Sequence, residues 1–322
     1  MRNRAAGTER DDDCGETLPE GDHMTDGTYR SEALGPARTL DVSGGRLRAH
    51  VTGDGPTIVF VHGALVNANL WRGVVTRLDG FTCVTLDMPL GSHLEPLPGA
   101  DLTSPGLAGL IDDAVTALGL EDVTLVGNDT GGGLCQIAAC GLAGGGRAGE
   151  RPPWLGALAL TSCDAFDNFP PRFFRNLLAP ARVPALVPVL YGGLRVRRLR
   201  RLPLAYGWLM NAAPEPPVDD SYVLPILTDA GVRRDFARVM GGFDPRLTEA
   251  AARALPELDR PVLLAWSRND RFFPPAHAER LAAAIPGARL EWLEQARSIS
   301  PEDEPARLAE LISGFVRERA AA

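Results

Sequence analysis

From Arg38 onward the chain settles into short apolar runs separated by polar, glycine-rich breaks. Arg38-Thr39-Leu40-Asp41-Val42 and Arg46-Leu47-Arg48-Ala49-His50-Val51 alternate polar and apolar residues around Ser43-Gly44-Gly45. A period of two marks a strand with one wet face, so this pair predicts an antiparallel hairpin. Thr57-Ile58-Val59-Phe60-Val61 is continuously apolar and β-branched, the pattern of a strand covered on both faces. Further strands are predicted at Phe81–Leu86, Val123–Val126, Leu158–Thr161, Pro261–Trp266 and Arg289–Leu293. Helical spacing falls between them, at Leu107–Leu118, Gly133–Leu142, His277–Ala284 and Glu304–Arg319. A hairpin followed by strand–helix repeats predicts an α/β architecture. Its sheet should be mostly parallel and doubly wound, with ligands at the carboxyl ends of the strands.

The rhythm fails in two places. Residues 1–36 are rich in charge, glycine and threonine, include Asp11-Asp12-Asp13, and offer too little apolar surface to order themselves. They are expected to form a disordered leader, within which Met24 offers an internal start. Between Asp167 and Phe243 strands give way to prolines and amphipathic pieces, such as Phe173–Leu178 and Val232–Val239. Residues 167–242 therefore read as a helical insertion capping the strand ends, dividing the core into 37–166 and 243–322.

Composition narrows the partners. Hydrophobic content of 45% and charged content of 23% are those of a globular protein. The net charge of -8 gives no reason to expect nucleic acid or a membrane. The one basic cluster, Arg195 to Arg201, fits a solvated helix face. Five cysteines show neither a CxxC pair nor a histidine-rich neighbourhood, so no metal, disulfide framework or cofactor is expected. With no apolar signal core at the N-terminus and no run near the ~20 residues that span a bilayer, the expected location is cytoplasmic.

The chemistry concentrates in Gly127-Asn128-Asp129-Thr130-Gly131-Gly132, between a buried strand and a helix. A sharp strand–turn–helix with small neighbours projects one side chain above the sheet, as a nucleophile elbow does. The residue projected is Asp129. A carboxylate there suits attack on an electrophilic carbon, or proton transfer. An aspartate at that place also suits capping of the next helix.

Four signatures in order carry a resemblance: His62-Gly63 after a buried strand, the Asp129 elbow, the insertion, and Trp266 to Pro274 with Asp270 after a late strand. From about residue 37 to 320 the chain resembles the α/β-hydrolase fold, in the branch of epoxide hydrolases and haloalkane dehalogenases. The resemblance implies Asp129 as nucleophile, backbone N–H groups of Ala64 and Thr130 as oxyanion donors, a structural role for His62 in the oxyanion loop, and Asp270 as the acid that orients the base. Asp270 also fits a plain turn before Pro274-Pro275.

Two departures stand out. The resemblance puts Ser298 where the catalytic histidine would lie, and a serine cannot act as a base near neutral pH. Of the five histidines, His93, in the loop after Leu86, is the candidate to line the pocket in its stead. Halide binding is also poorly supported, because Thr130 follows the elbow and Ala64 replaces an asparagine. Among cap tyrosines, which donate a proton to an opening ring in epoxide hydrolases, Tyr222 is preferred over Tyr191 and Tyr206.

The expectation is thus an enzyme acting on a hydrophobic small molecule, epoxide- or ester-like, through Asp129. Two alternatives stay open. One is a non-hydrolytic enzyme of the same fold, performing elimination, rearrangement or cyclisation with Asp129 as general acid or base. The other is a ligand-binding protein without catalysis.

Overall fold

The structure is a computed structural model that describes residues 26–143, 150–177 and 179–321. Eight strands form one sheet: Ala37–Val42 (β1), Gly45–Thr52 (β2), Thr57–Val61 (β3), Thr82–Asp87 (β4), Val123–Asp129 (β5), Leu155–Cys163 (β6), Val262–Ser267 (β7) and Arg289–Leu293 (β8). Their spatial order is β1-β2-β4-β3-β5-β6-β7-β8. The β1–β2 and β2–β4 pairings are antiparallel and the others parallel. This is the mostly parallel α/β sheet expected from the periodicity, and it agrees with the fold that the resemblance implies.

The continuous apolar strands lie in the middle of the sheet, where helices such as Ser104–Ala117, Thr130–Ala139 and Pro305–Ala321 cover both faces. Strand order reverses around β3, which has β4 on one side and β5 on the other. The turns leaving β3 and β5 therefore end side by side, with Val61 opposite Gly127, at the switch point where such sheets bind ligands. β5 continues to Asp129, three residues past the apolar run, and its register with β6 slips between Asn128 and Asp129.

Residues 1–25 of the expected leader lie outside the described residues, and with them Cys14, His23 and Met24. Residues 26–36 correct that expectation, since they pack on the core. Leu34 is buried, and Arg30 bonds Asp87 through Nε at 3.1 Å and Nη2 at 2.7 Å. The Ser31 N–H donates to Asn69 Oδ1, and Asn69 Nδ2 donates to the Tyr29 carbonyl. The order comes from polar pairing, which a count of apolar residues does not register. Burial alone would raise Asp87, but the Arg30 guanidinium holds its carboxyl below the ordinary range. Arg30→Met leaves that buried carboxylate uncompensated and is expected to cost about 3–5 kcal/mol, read by urea unfolding at neutral pH. Because the folded pKa is depressed, the contribution is present at neutral pH and fades only as acid protonates Asp87.

Between Asp167 and Phe243 no strand occurs among the described residues. The predicted pieces are helical at Arg172–Leu177 and Ala230–Gly242, and a further helix spans Pro216–Thr228. Its prolines hide it from a pattern reading, yet the first falls in the opening turn, where no N–H partner is needed, and Val218 to Ile226 are buried. No helix among the described residues is long and apolar enough to cross a membrane.

Candidate active site

The strand–helix turn after β5 holds Asp129 at φ 55° and ψ −131°, a conformation costly for a residue with a Cβ. Its neighbours explain why the turn is glycine-rich. A Cβ on Gly63 would lie 2.3 Å from Asp129 Oδ2, and one on Gly131 would lie 2.4 Å from the carbonyl oxygens of Val61 and His62. Glycine is thus required where the β3 and β5 turns touch. Asp129 Oδ1 accepts the Thr130 N–H at 2.7 Å, so the carboxylate both begins the helix and faces a cavity. Burial, aided by the charge of Asp270, raises its pKa to about 7.

Behind it, Asp270 Oδ1 accepts the N–H groups of Phe272 (2.8 Å) and Phe273 (2.9 Å) and the Ser298 hydroxyl (2.7 Å). Its Oδ2 is buried without a partner. The turn reading and the acid reading of Asp270 are thus both satisfied in shape. Burial raises its pKa against those three donors. Ser298 is wholly buried, and its carbonyl accepts from Asn128 Nδ2 at 2.9 Å. It lines no part of the cavity, although the resemblance places it where the catalytic histidine would face substrate. The side chain that holds Asp270 cannot take a proton from water.

A third carboxylate escaped the pattern reading. Asp164 follows β6 immediately, its N–H donates to the Asp129 carbonyl at 3.3 Å, and both its carboxyl oxygens are buried without hydrogen-bond partners. Burial and the Asp129 charge push its pKa well above the ordinary carboxylate range. The signal was a polar residue at the carboxyl end of a buried strand, obscured because the apolar run ends at Thr161.

The remaining candidates separate. Ala64 and Thr130 line the cavity with Asp129. His62 does not. It is fully buried, accepts the Met88 N–H at Nε2 (2.9 Å) and donates from Nδ1 to the Gly63 carbonyl (2.8 Å). Burial lowers its pKa to about 4, so a neutral ring braces the β3 turn. His93, expected in the pocket, is corrected. It is buried away from the cavity lining, with Nε2 3.4 Å from Asp235 Oδ2 on the Ala230–Gly242 helix. His93→Ala should therefore leave chemistry at Asp129 unchanged while costing about 1–3 kcal/mol in thermal unfolding. Tyr222 is corrected too, because its hydroxyl donates to Glu302 Oε1 at 2.6 Å and braces the Pro216–Thr228 helix against the Ser300–Asp303 helix.

The cavity, about 290 Å³, lies between the strand ends and the helical insertion. Phe174, Leu194, Leu209, Met240, Phe243 and Phe273 make its wall apolar. Four side chains bring polar groups: Asp129, Thr130, Tyr191 and Tyr206. The Tyr206 hydroxyl is committed to the Leu65 carbonyl at 2.5 Å. The Tyr191 hydroxyl is buried and unpartnered. Neither tryptophan nor asparagine is among the lining residues. No group of three potential metal ligands occurs among the described residues.

A model described as the alpha/beta hydrolase family matches residues 58–311. An uncharacterized protein of Mycobacterium tuberculosis is 25% identical over 313 residues, covering 90% of this chain and 86% of that protein. Haloalkane dehalogenase 2 of the same species is 28% identical over 288 residues, covering 86% and 93%. Among solved structures, the haloalkane dehalogenase DbeA of Bradyrhizobium elkani superposes with a TM-score of 0.72 at 18% identity, covering 89% of this chain and 99% of DbeA. At that identity the likeness is one of fold.

Proposed function

The chain belongs to the alpha/beta hydrolase family, and on that premise we propose that it attacks a strained, electrophilic carbon of an apolar small molecule, such as an epoxide, through Asp129. The observation that carries this reading is the Asp129 carboxylate opening onto an apolar cavity that also holds the unpartnered Tyr191 hydroxyl. One Asp129 oxygen forms a bond to a ring carbon, the carbon–oxygen bond of the ring breaks, and the ring oxygen takes the Tyr191 proton. The product is a hydroxyalkyl ester of Asp129, and water restores the Tyr191 proton. Burial pushes the Tyr191 phenol above its ordinary range, yet an alkoxide is basic enough to take its proton.

Two features favour an epoxide over an ester. The wall supplies a proton donor for a ring oxygen, and the Thr130 N–H, one of the two expected oxyanion donors, is already bonded to Asp129. Release of the ester needs activated water. With Ser298 on Asp270, release is the slow step, because general-base assistance is typically worth ~100 to 10,000-fold.

A second reading is favoured by one observation. With a pKa near 7, Asp129 is poised for general acid–base work, and elimination, rearrangement or ring closure needs no histidine. The pH profile separates the acid role from the nucleophile. Attack requires the ionised carboxylate, so ester formation with a terminal epoxide should rise with pH to a plateau above about 7. A rate that falls through the same range would make Asp129 a general acid.

A further inference from the structure

We propose that the outer face of the helical insertion is a docking surface for an anionic lipid bilayer, placed so that the cavity mouth opens toward the lipid. Whole-chain charge points the other way, but the charge is unevenly spread. Residues 168–214 contain eight arginines and not one aspartate or glutamate, within a chain of net charge -8. Some of these arginines are used internally: Arg200 and Arg197 pair with Asp219 and Asp220 of the Pro216–Thr228 helix. Arg198 and Arg201 are exposed and form no ion pair among the described residues.

The same stretch of chain carries the exposed apolar surface. Apart from Tyr29, every large apolar side chain exposed among the described residues lies between Phe173 and Leu204. Val189 is 79% exposed and Leu204 62%. Leu177, Leu190 and Leu204 are exposed and also line the cavity, so the apolar patch continues into the chamber that holds Asp129. Contiguous exposed apolar surface marks a contact site. Aliphatic tips with flanking arginines and no acids match an anionic interface, where tips enter the acyl boundary and guanidinium groups meet phosphates. A second copy is a poorer match, since a twofold contact would set this basic face against itself. The inference rests on the outer face and not on the chemistry assigned to Asp129.

The test is flotation of the full chain with phosphatidylcholine vesicles, with and without phosphatidylglycerol. Co-flotation with the phosphatidylglycerol vesicles, lost at high salt, is expected despite the net negative charge. Arg198→Glu with Arg201→Glu should weaken that partition by about twentyfold or more, on the basis of about 1 kcal/mol per charge near an anionic surface. Val189→Asp with Val183→Asp should weaken it as well, with unfolding temperatures of all variants near that of the parent. Absence of flotation with either vesicle would overturn the proposal. So would equal flotation by parent and variants, or a concentration-dependent dimer that Val189→Asp dissociates.

Discussion

Ser298→His is expected to convert a slowly released Asp129 ester into a turning-over hydrolase, raising the release rate by ~100 to 10,000-fold. That range is about 3–5 kcal/mol of barrier. The Ser298 hydroxyl sits 2.7 Å from Asp270 Oδ1, and Asn128 holds the Ser298 carbonyl at 2.9 Å, so the backbone position is fixed independently of the side chain. An imidazole there can donate to Asp270 and use its other nitrogen on water. The site is fully buried, and the larger ring is expected to cost about 1–3 kcal/mol of stability. Thermal unfolding therefore accompanies the kinetic comparison. Ser298→Ala is the control: it removes the bond to Asp270, adds no base, and should leave release as slow as in the parent. Release is followed as diol formation in oxygen-labelled water.

The second large effect falls on the first step. Asp129→Asn should lower ester formation by more than about a thousandfold, since loss of a nucleophile costs most of the chemical rate. The amide keeps the shape of the turn and can still accept the Thr130 N–H, so the fold should survive. Stability should rise slightly at high pH, because the charge that burial disfavours is gone. A ligand-binding protein without catalysis would show unaltered binding and no chemistry to lose.

The sheet was legible because its strands alternate or saturate with apolar residues in the way their burial demands. The site was legible where backbone contact dictates residue type, as at Gly63 and Gly131, which leave no room for a Cβ beside Asp129 and the β3 carbonyls. It was illegible where side-chain direction depends on distant partners. His93 occupies a loop after the expected strand, but Asp235 of the insertion draws it away from the cavity. Tyr222 has the better local surroundings, yet Glu302, eighty residues on, claims its hydroxyl and leaves Tyr191 as the free phenol. Asp164 belongs to the same class, since its perturbation comes from burial at the strand ends and then from the charge of Asp129, neither of which local sequence displays. The order of residues 26–36 comes from the buried Arg30–Asp87 ion pair and the hydrogen bonds of Ser31 and Tyr29 with Asn69, which composition does not reveal.

The most direct measurement is intact-protein mass spectrometry after incubation with a terminal epoxide at pH above 7, followed by peptide mapping. The account predicts a mass gain equal to one epoxide, located on the peptide carrying Asp129, accumulating in the parent, absent in Asp129→Asn and transient in Ser298→His. An adduct on another residue, or turnover that proceeds equally in Asp129→Asn, would contradict it.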